Sequence, residues 1–304
     1  MPKEIEIHKE RFYHMCDLAV KRYEEGNGFW KKAKQKYLPQ WNLPEELERG
    51  LVHSTDKSLK AAANYLFLMA QLERRVQSKQ NIINAKQIGE DSSKKFIFDQ
   101  SKVASKQVEE IARILREDLK YPFKEIAQHY MVNCKELVEN WGGDPRNLIK
   151  GYSIEEARKN IQLMKGMGNG IANLLLIYLG ERKIVSIQDL NKLCPKVDIH
   201  KTRIPLNVGA TEIQEGLRRD AIVPLLEEAY KDVVGGGLNP FSLDAALWII
   251  GSEICKKKNA ARCATHCPLE KMCTNYWVED KPTTKIFIQT DADFRKQPTL
   301  FQYL

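Results

Sequence analysis

Four cysteines, Cys255, Cys263, Cys267 and Cys273, fall within the 19 residues CKKKNAARCATHCPLEKMC, a C-x7-C-x3-C-x5-C spacing. Thiolates gathered so closely can wrap one metal centre without a distant ligand. Two centres fit that donor set, a four-cysteine zinc site and a cubane [4Fe–4S] cluster. Zinc sites more often grip from two close-spaced knuckles, whereas here one graded loop supplies all four sulfurs, which favours the cluster. His266, inside the loop, is a nitrogen donor that zinc accepts. The chain has seven cysteines, an odd number, and opens on the charged segment MPKEIEIHKERF. That combination argues for reduced thiols and metal ligands over a disulfide frame, and sets the expectation of an intracellular protein, cytoplasmic or nucleoid.

Two further stretches carry chemistry. LMKGMGNGIANLL (163–175) places three glycines between apolar, helix-like runs. Gly166 and Gly168 remove side chains where a turn needs unusual φ and close approach. The amides opening the next helix, from Ile171 onward, then face outward toward a phosphate oxygen. Such a grip holds nucleic-acid backbone and reads no sequence. Taken alone, a Gly-rich helix–helix turn is more often only a turn. About thirty residues on, KVDIHKTRI sets Asp198 beside His200, Lys201 and Arg203. A lone aspartate there reads first as a helix cap.

The elements that must position these groups follow a helical period. In 105–119, Val108, Ile111, Ala112, Leu115 and Leu119 share one face, with Ser105 placed to cap. In 153–164, Ser153 and Glu156 have capping-box spacing ahead of Ile154, Ala157, Ile161 and Met164. NPFSLDAALWIIGSEIC (239–255) starts at a Pro and a Ser cap and is apolar on nearly every side, as a central helix is. Alternating runs are almost absent, KIFIQ (285–289) being the best. The reading is all-α.

The 304 residues are 43% apolar and 29% charged, enough to bury a core. The net charge of +8, with a pI near 9.0, suits a polyanionic partner, although solvated lysines explain it equally well. No apolar run is long enough to span a membrane.

Hairpin, aspartate and cysteine loop occur in an order that resembles the helix–hairpin–helix DNA glycosylase superfamily, in its iron–sulfur branch typified by endonuclease III and the adenine DNA glycosylase. MKGMGNGIA matches the hairpin, VDIHKTRI the catalytic aspartate segment, and the cysteine loop follows LWIIGSEIC. The match is carried by 153–277; over 56–152 it rests on helical pattern alone. It implies a helical extension over 1–55 packing with the cluster domain, and a six-helix barrel over 56–204 with the hairpin at about 153–182. A cluster-bearing domain over 205–280 and a tail over 281–304 complete the expected division. It also implies a monomer that flips a damaged or mispaired base of double-stranded DNA out of the stack. Asp198 is then catalytic, stabilising a positively charged sugar. The phosphate and DNA contacts fall on Gly166, Gly168, Gly170, Ile171, Arg75 and Lys201. Bifunctional members carry a nucleophilic lysine at the position of Gly170, so its absence implies base removal by water with no strand cleavage. The same departure leaves room for a non-catalytic DNA-binding or scaffold protein, and a glycosylase of RNA or a nucleoside is a further alternative. The cysteine gaps are one residue longer in the first two intervals than the usual C-x6-C-x2-C-x5-C, which keeps zinc open beside [4Fe–4S].

Arg74, Arg75 and Gln77 weakly resemble the segment that wedges into the hole left by a flipped base; a solvated helix face fits them equally. The final QPTLFQYL offers Gln297, Leu300, Phe301, Tyr303 and Leu304, a pattern resembling a sliding-clamp box. The same residues also suit a tail that folds back on its own core.

Overall fold

The computed structural model describes residues 5–73, 78–121, 124–213, 219–255, 260–273, 277–280 and 286–289. Arg74, Arg75, Gln77 and the whole segment 297–304 lie outside them.

The architecture is all-α, as the helical periodicity requires. The helices are α1 (Lys9–Glu25), α2 (Phe29–Tyr37), α3 (Glu45–His53), α4 (Asp56–Leu72), α5 (Ser78–Glu90), α6 (Gln100–Ala104) and α7 (Val108–Glu117). After them come α8 (Lys124–Trp141), α9 (Ile154–Gln162), α10 (Asn169–Glu181), α11 (Ile199–Asn207), α12 (Arg219–Gly235), α13 (Pro240–Ile249) and α14 (Ala260–His266). The described strands form two short antiparallel ribbons. In one, β1 (Ile5–Ile7) pairs with β2 (Thr211–Ile213); in the other, β3 (Trp277–Asp280) pairs with β4 (Ile286–Gln289), the KIFIQ stretch.

The chain divides into two compact units, Lys32–Leu190 and Met1–Lys31 with Asn191–Leu304. In the first, α4 and α10 pack on each other at the centre. Both are apolar nearly all round, with Ala62–Leu72 and Ile171–Leu179 buried without interruption, so neither is stable until other helices cover it. α3, α5 and α8 cover α4, and α9 closes on α10. In the second unit, α1 packs along α13, and α11 packs against α12, α13 and the turn that follows α13. The Phe12 and Tyr230 rings meet there at 4.9 Å between centroids.

Helix ends follow local chemistry, with two departures from the sequence expectation. α9 carries the full capping box: Ser153 Oγ accepts from the Glu156 amide (3.3 Å) and Glu156 Oε2 accepts from the Ser153 amide (3.0 Å). Ser105 does not cap α7. It ends α6 instead and donates back to Lys102 O at 2.8 Å, while α7 starts three residues later without a side-chain cap. At α13 the cap is Asn239, whose Oδ1 accepts from the Phe241 and Ser242 amides at 2.9 and 3.3 Å. Ser242 therefore sits inside the helix, and its hydroxyl donates to Glu24 Oε1 at 2.8 Å. The expected single helix over 239–255 is also two pieces. α13 gives way to a π-turn over Ile250–Ile254, closed by Cys255 N–H to Ile250 O at 2.7 Å, which inserts one residue and re-aims the chain just before the first cysteine of the loop.

Candidate functional site

The hairpin joins α9 to α10 in the unit Lys32–Leu190. Gly166 has φ +72°, a backbone state that side chains rarely adopt, so glycine is required there by the turn itself. Gly168 differs. Its φ is −70° with extended ψ, and a Cβ added there meets nothing within 4 Å. Nothing in its own unit asks for glycine; what the missing side chain preserves is open access to backbone. The structure corrects one expectation: the Ile171 amide does not face outward but bonds Gly168 O at 3.0 Å, as does Ala172. At this helix start the amides without an intrahelical acceptor lie ahead of Ile171. Met164, Ala172, Leu174 and Leu175 are buried and anchor the turn.

Sequence reading missed what holds the hairpin. Asn133 of α8 is fully buried. Its Oδ1 accepts from the Lys165 amide at 2.5 Å, and its Nδ2 donates to Lys165 O at 3.1 Å and to Gln71 Oε1 of α4 at 2.6 Å. One amide side chain thus brackets the entry to the turn. Arg158 of α9 adds a second tie, donating from Nε to Asn173 Oδ1 of α10 at 2.9 Å. No periodic pattern marks Asn133, because its role depends on a residue 32 positions away.

Asp198 belongs to the other unit and is the N-cap of α11. Its Oδ1 accepts from the His200 and Lys201 amides at 2.9 and 3.0 Å. About a fifth of the side chain (21%) remains exposed. Lys201 was expected to meet DNA, and the structure corrects that. Its side chain is 2% exposed, with Nζ 3.0 Å from Asp244 Oδ1 and 4.0 Å from Asp198 Oδ2. An ammonium enclosed between two carboxylates is spent inside the protein and cannot reach a phosphate. The Lys196 amide donates to the same Asp244 oxygen at 3.1 Å. Pro205, inside α11, has no N–H to offer the carbonyl four residues back; the Tyr230 hydroxyl of α12 donates to that Lys201 carbonyl at 2.8 Å.

The electrostatics follow from this enclosure. Burial pushes the Asp198 carboxyl up, but the charges of Lys201 and His200, the Lys201 amide and the Lys196 charge outweigh it and hold it well below the usual carboxylate range. Burial depresses the Lys201 ammonium, yet Asp198 and Asp244 leave it above its ordinary value. Asp244 ends above its ordinary value, because burial exceeds the opposing pull of Lys201. A carboxyl lowered on folding contributes stability that is present above its unfolded pKa and is lost as pH falls through the folded value.

The cysteine loop begins where the π-turn ends. Asn207 Nδ2 donates to Cys255 Sγ at 3.5 Å, and Arg203 donates to Gly251 O and Cys255 O at 2.8 and 3.1 Å. Burial pushes the Cys255 thiol up. Cys263 and Cys267, at the two ends of one helical turn, share a thiol hydrogen bond that brings Cys263 down to about 7 and holds Cys267 up. His266 is otherwise engaged: its ring stacks on Phe29 at 4.6 Å and its carbonyl accepts from Trp30 Nε1 at 3.3 Å. Soft sulfur donors with amide and guanidinium donors around Cys255 fit a thiolate-held centre. Among the described residues, no group of three or more His, Cys, Asp or Glu side chains is arranged to hold a single metal ion.

No protein-family model matches the sequence, and no curated protein matches it. Solved structures do. The fold is similar to that of a solved DNA glycosylase. A thermostable thymine-DNA glycosylase aligns with 87% of this chain and 96% of its own length, at a TM-score of 0.54 and 14% identity. The 8-oxoguanine DNA glycosylase of Thermotoga maritima aligns with 78% of this chain and 97% of its own, at a TM-score of 0.45 and 20% identity. The fold reading rests on the first. No helix among the described residues is long and apolar enough to cross a membrane.

Replacing Asn133 by Ala should leave the Lys165 amide without its acceptor at a cost of about 1–3 kcal/mol. Hydrogen exchange at Lys165 and its hairpin neighbours should quicken while α13 keeps its protection; uniform loss of protection across both units would contradict a local role.

Proposed function

We propose that this chain is a DNA glycosylase of base excision repair, which hydrolyses the N-glycosidic bond of a flipped damaged or mispaired base and leaves the strand intact. The observation that carries this reading is the Asp198 carboxylate: held ionised from its buried side, fixed by two amides on one oxygen, and still partly open to solvent. A carboxylate in that state stabilises the positive charge that develops on a deoxyribose ring as the base departs, and orients the attacking water. The fold shared with a thymine-DNA glycosylase supports the reading. So does Gly168, whose open front leaves backbone within reach of a DNA phosphate. Gly170, one residue into α10, supplies no amine for a covalent sugar adduct, and Lys165 precedes the turn. Water is then the nucleophile.

Cys255, Cys263, Cys267 and Cys273 are proposed to hold a [4Fe–4S] cluster, with zinc as the other occupant their chemistry admits. When bound, such a centre supplies structural cross-linking of the loop. In the tail, Gln297, Leu300, Phe301, Tyr303 and Leu304 are proposed to dock on a sliding clamp, and Arg75 to contact DNA beside the flipped base.

Asp198→Asn keeps a good helix cap and should retain duplex affinity while base release falls about 100- to 1,000-fold. The assay is a panel of lesion and mismatch duplexes, with and without hot alkali: wild-type product appearing only after alkali is expected, and unchanged release by Asp198→Asn would sink the assignment. Gly168→Ala should shift unfolding by less than about 0.5 kcal/mol yet weaken duplex DNA binding about tenfold, equal to about 1.4 kcal/mol. Loss of stability without loss of affinity would make the glycine structural. Protein purified without oxygen should be brown and contain iron and acid-labile sulfide; stoichiometric zinc without iron would replace the cluster by a zinc site.

A further inference from the structure

A lysine has no ordinary reason to be in this interior. Lys201 has no exposed surface to decorate, and a packed apolar side chain would fill its volume without the cost of burying a charge. Its position relative to the two carboxylates suggests what it does. Nζ makes its short contact, 3.0 Å, with Asp244, and stands off from Asp198 at 4.0 Å. Asp244 is in turn held by the Lys196 amide, so the anchor is fixed from a second element. Asp198 therefore feels a nearby positive charge screened by little water, while its Oδ2 receives no direct hydrogen bond from the ammonium. With both carboxylates ionised, the three groups sum to one negative charge, and the outward-facing member of the set is Asp198.

We infer that Lys201 is a positioning residue: anchored on Asp244, it keeps the Asp198 carboxylate charged and aimed without capping the oxygen that faces the substrate. The inference rests on the reading that Asp198 carries the chemistry. A lysine bonded directly to Asp198 would neutralise the charge that must meet a cationic sugar. A lysine removed altogether would leave two carboxylates sharing a dry site, where one takes up a proton. Standing off by one anchor avoids both. The other titratable groups facing the set are His200 on α11 and Lys196 ahead of it, which lie against Asp198. Cys194 faces Lys201, and Tyr230 of α12 faces both carboxylates as well as Cys16 of α1. Burial pushes the Cys16 thiol and the Tyr230 phenol up, which leaves Lys201 as the fully buried cation of the group.

The test compares Lys201→Met with Asp244→Asn in the full chain. Both break the same buried pair and both should lower the melting temperature, so stability does not decide between roles. Carbon NMR of the Asp198 carboxyl does. In the wild type it should stay ionised to the acid limit of the folded protein. In Lys201→Met it should titrate in the ordinary carboxylate range, near about 4 or higher. In Asp244→Asn it should remain ionised, because the lysine stays and closes on Asp198. Single-turnover base release should separate the variants again. The acid limb of Lys201→Met moves up in pH and its rate recovers in alkali. Asp244→Asn loses about 10- to 100-fold at every pH, because its carboxylate is capped. Should Lys201→Met not fold, Asp244→Asn decides alone, and an Asp198 that titrates normally in it overturns the inference. So does an Asp198 that stays ionised in folded Lys201→Met. If the wild type releases no base from any duplex, the glycosylase reading falls while the NMR comparison still decides the role of Lys201.

Discussion

A charged lysine inside a helical core sets terms that the elements of its unit must meet. Leaving Lys201 unpaired there would cost several kcal/mol, so α13 must bring Asp244 and the chain before α11 must bring Asp198. The Lys196 amide then fixes Asp244, and Tyr230 from α12 satisfies the carbonyl that Pro205 leaves without its usual helical donor. Three helices and one extended segment are thereby fixed around a single ammonium. The packing of α1 along α13, with Phe12 against Tyr230, closes the same region with apolar surface. Charge pairing specifies the arrangement, and the hydrophobic contact around it supplies the bulk of the burial.

The unit Lys32–Leu190 is governed by a different constraint. Two helices, α4 and α10, are too apolar to face water on any side, so the remaining helices are arranged as their cover. Within that core Asn133 bonds the Gln71 carbonyl oxygen and both backbone groups of Lys165 at the start of the hairpin. The turn is therefore rigid at its entry and open at Gly168. A backbone that is to meet a phosphate needs that combination.

Much of this was legible in the sequence, for reasons that separate cleanly from the failures. Periodicity and local chemistry reported what neighbours in sequence decide: the capping box of α9, the left-handed Gly166, the burial of α10 and α13, and the cap at Asp198. They misjudged Ser105, which ends α6 while α7 starts without a side-chain cap, and Ser242, where Asn239 three residues ahead is the better acceptor, and they could not foresee the π-turn that splits the helix over 239–255. They also placed Lys201 on the surface. A lysine reads as exposed until its partners are known, and Asp244 lies 43 residues further along a helix that scans as apolar. Asn133 and Tyr230 were invisible for the same reason. Each acts on a backbone group far away in the chain, and no spacing rule encodes that.

Gly251 ties two of these themes together. A Cβ there would lie 2.4 Å from that of His200, so the imidazole rests directly on the backbone of the π-turn, and Arg203 bonds the carbonyl of the same residue. The segment that delivers the first cysteine and the helix that carries Asp198 meet with no clearance between them. Neither can therefore drift on its own during divergence. A larger residue at 251 would demand a smaller one at 200, and the aspartate and the cysteine loop would be inherited as one piece.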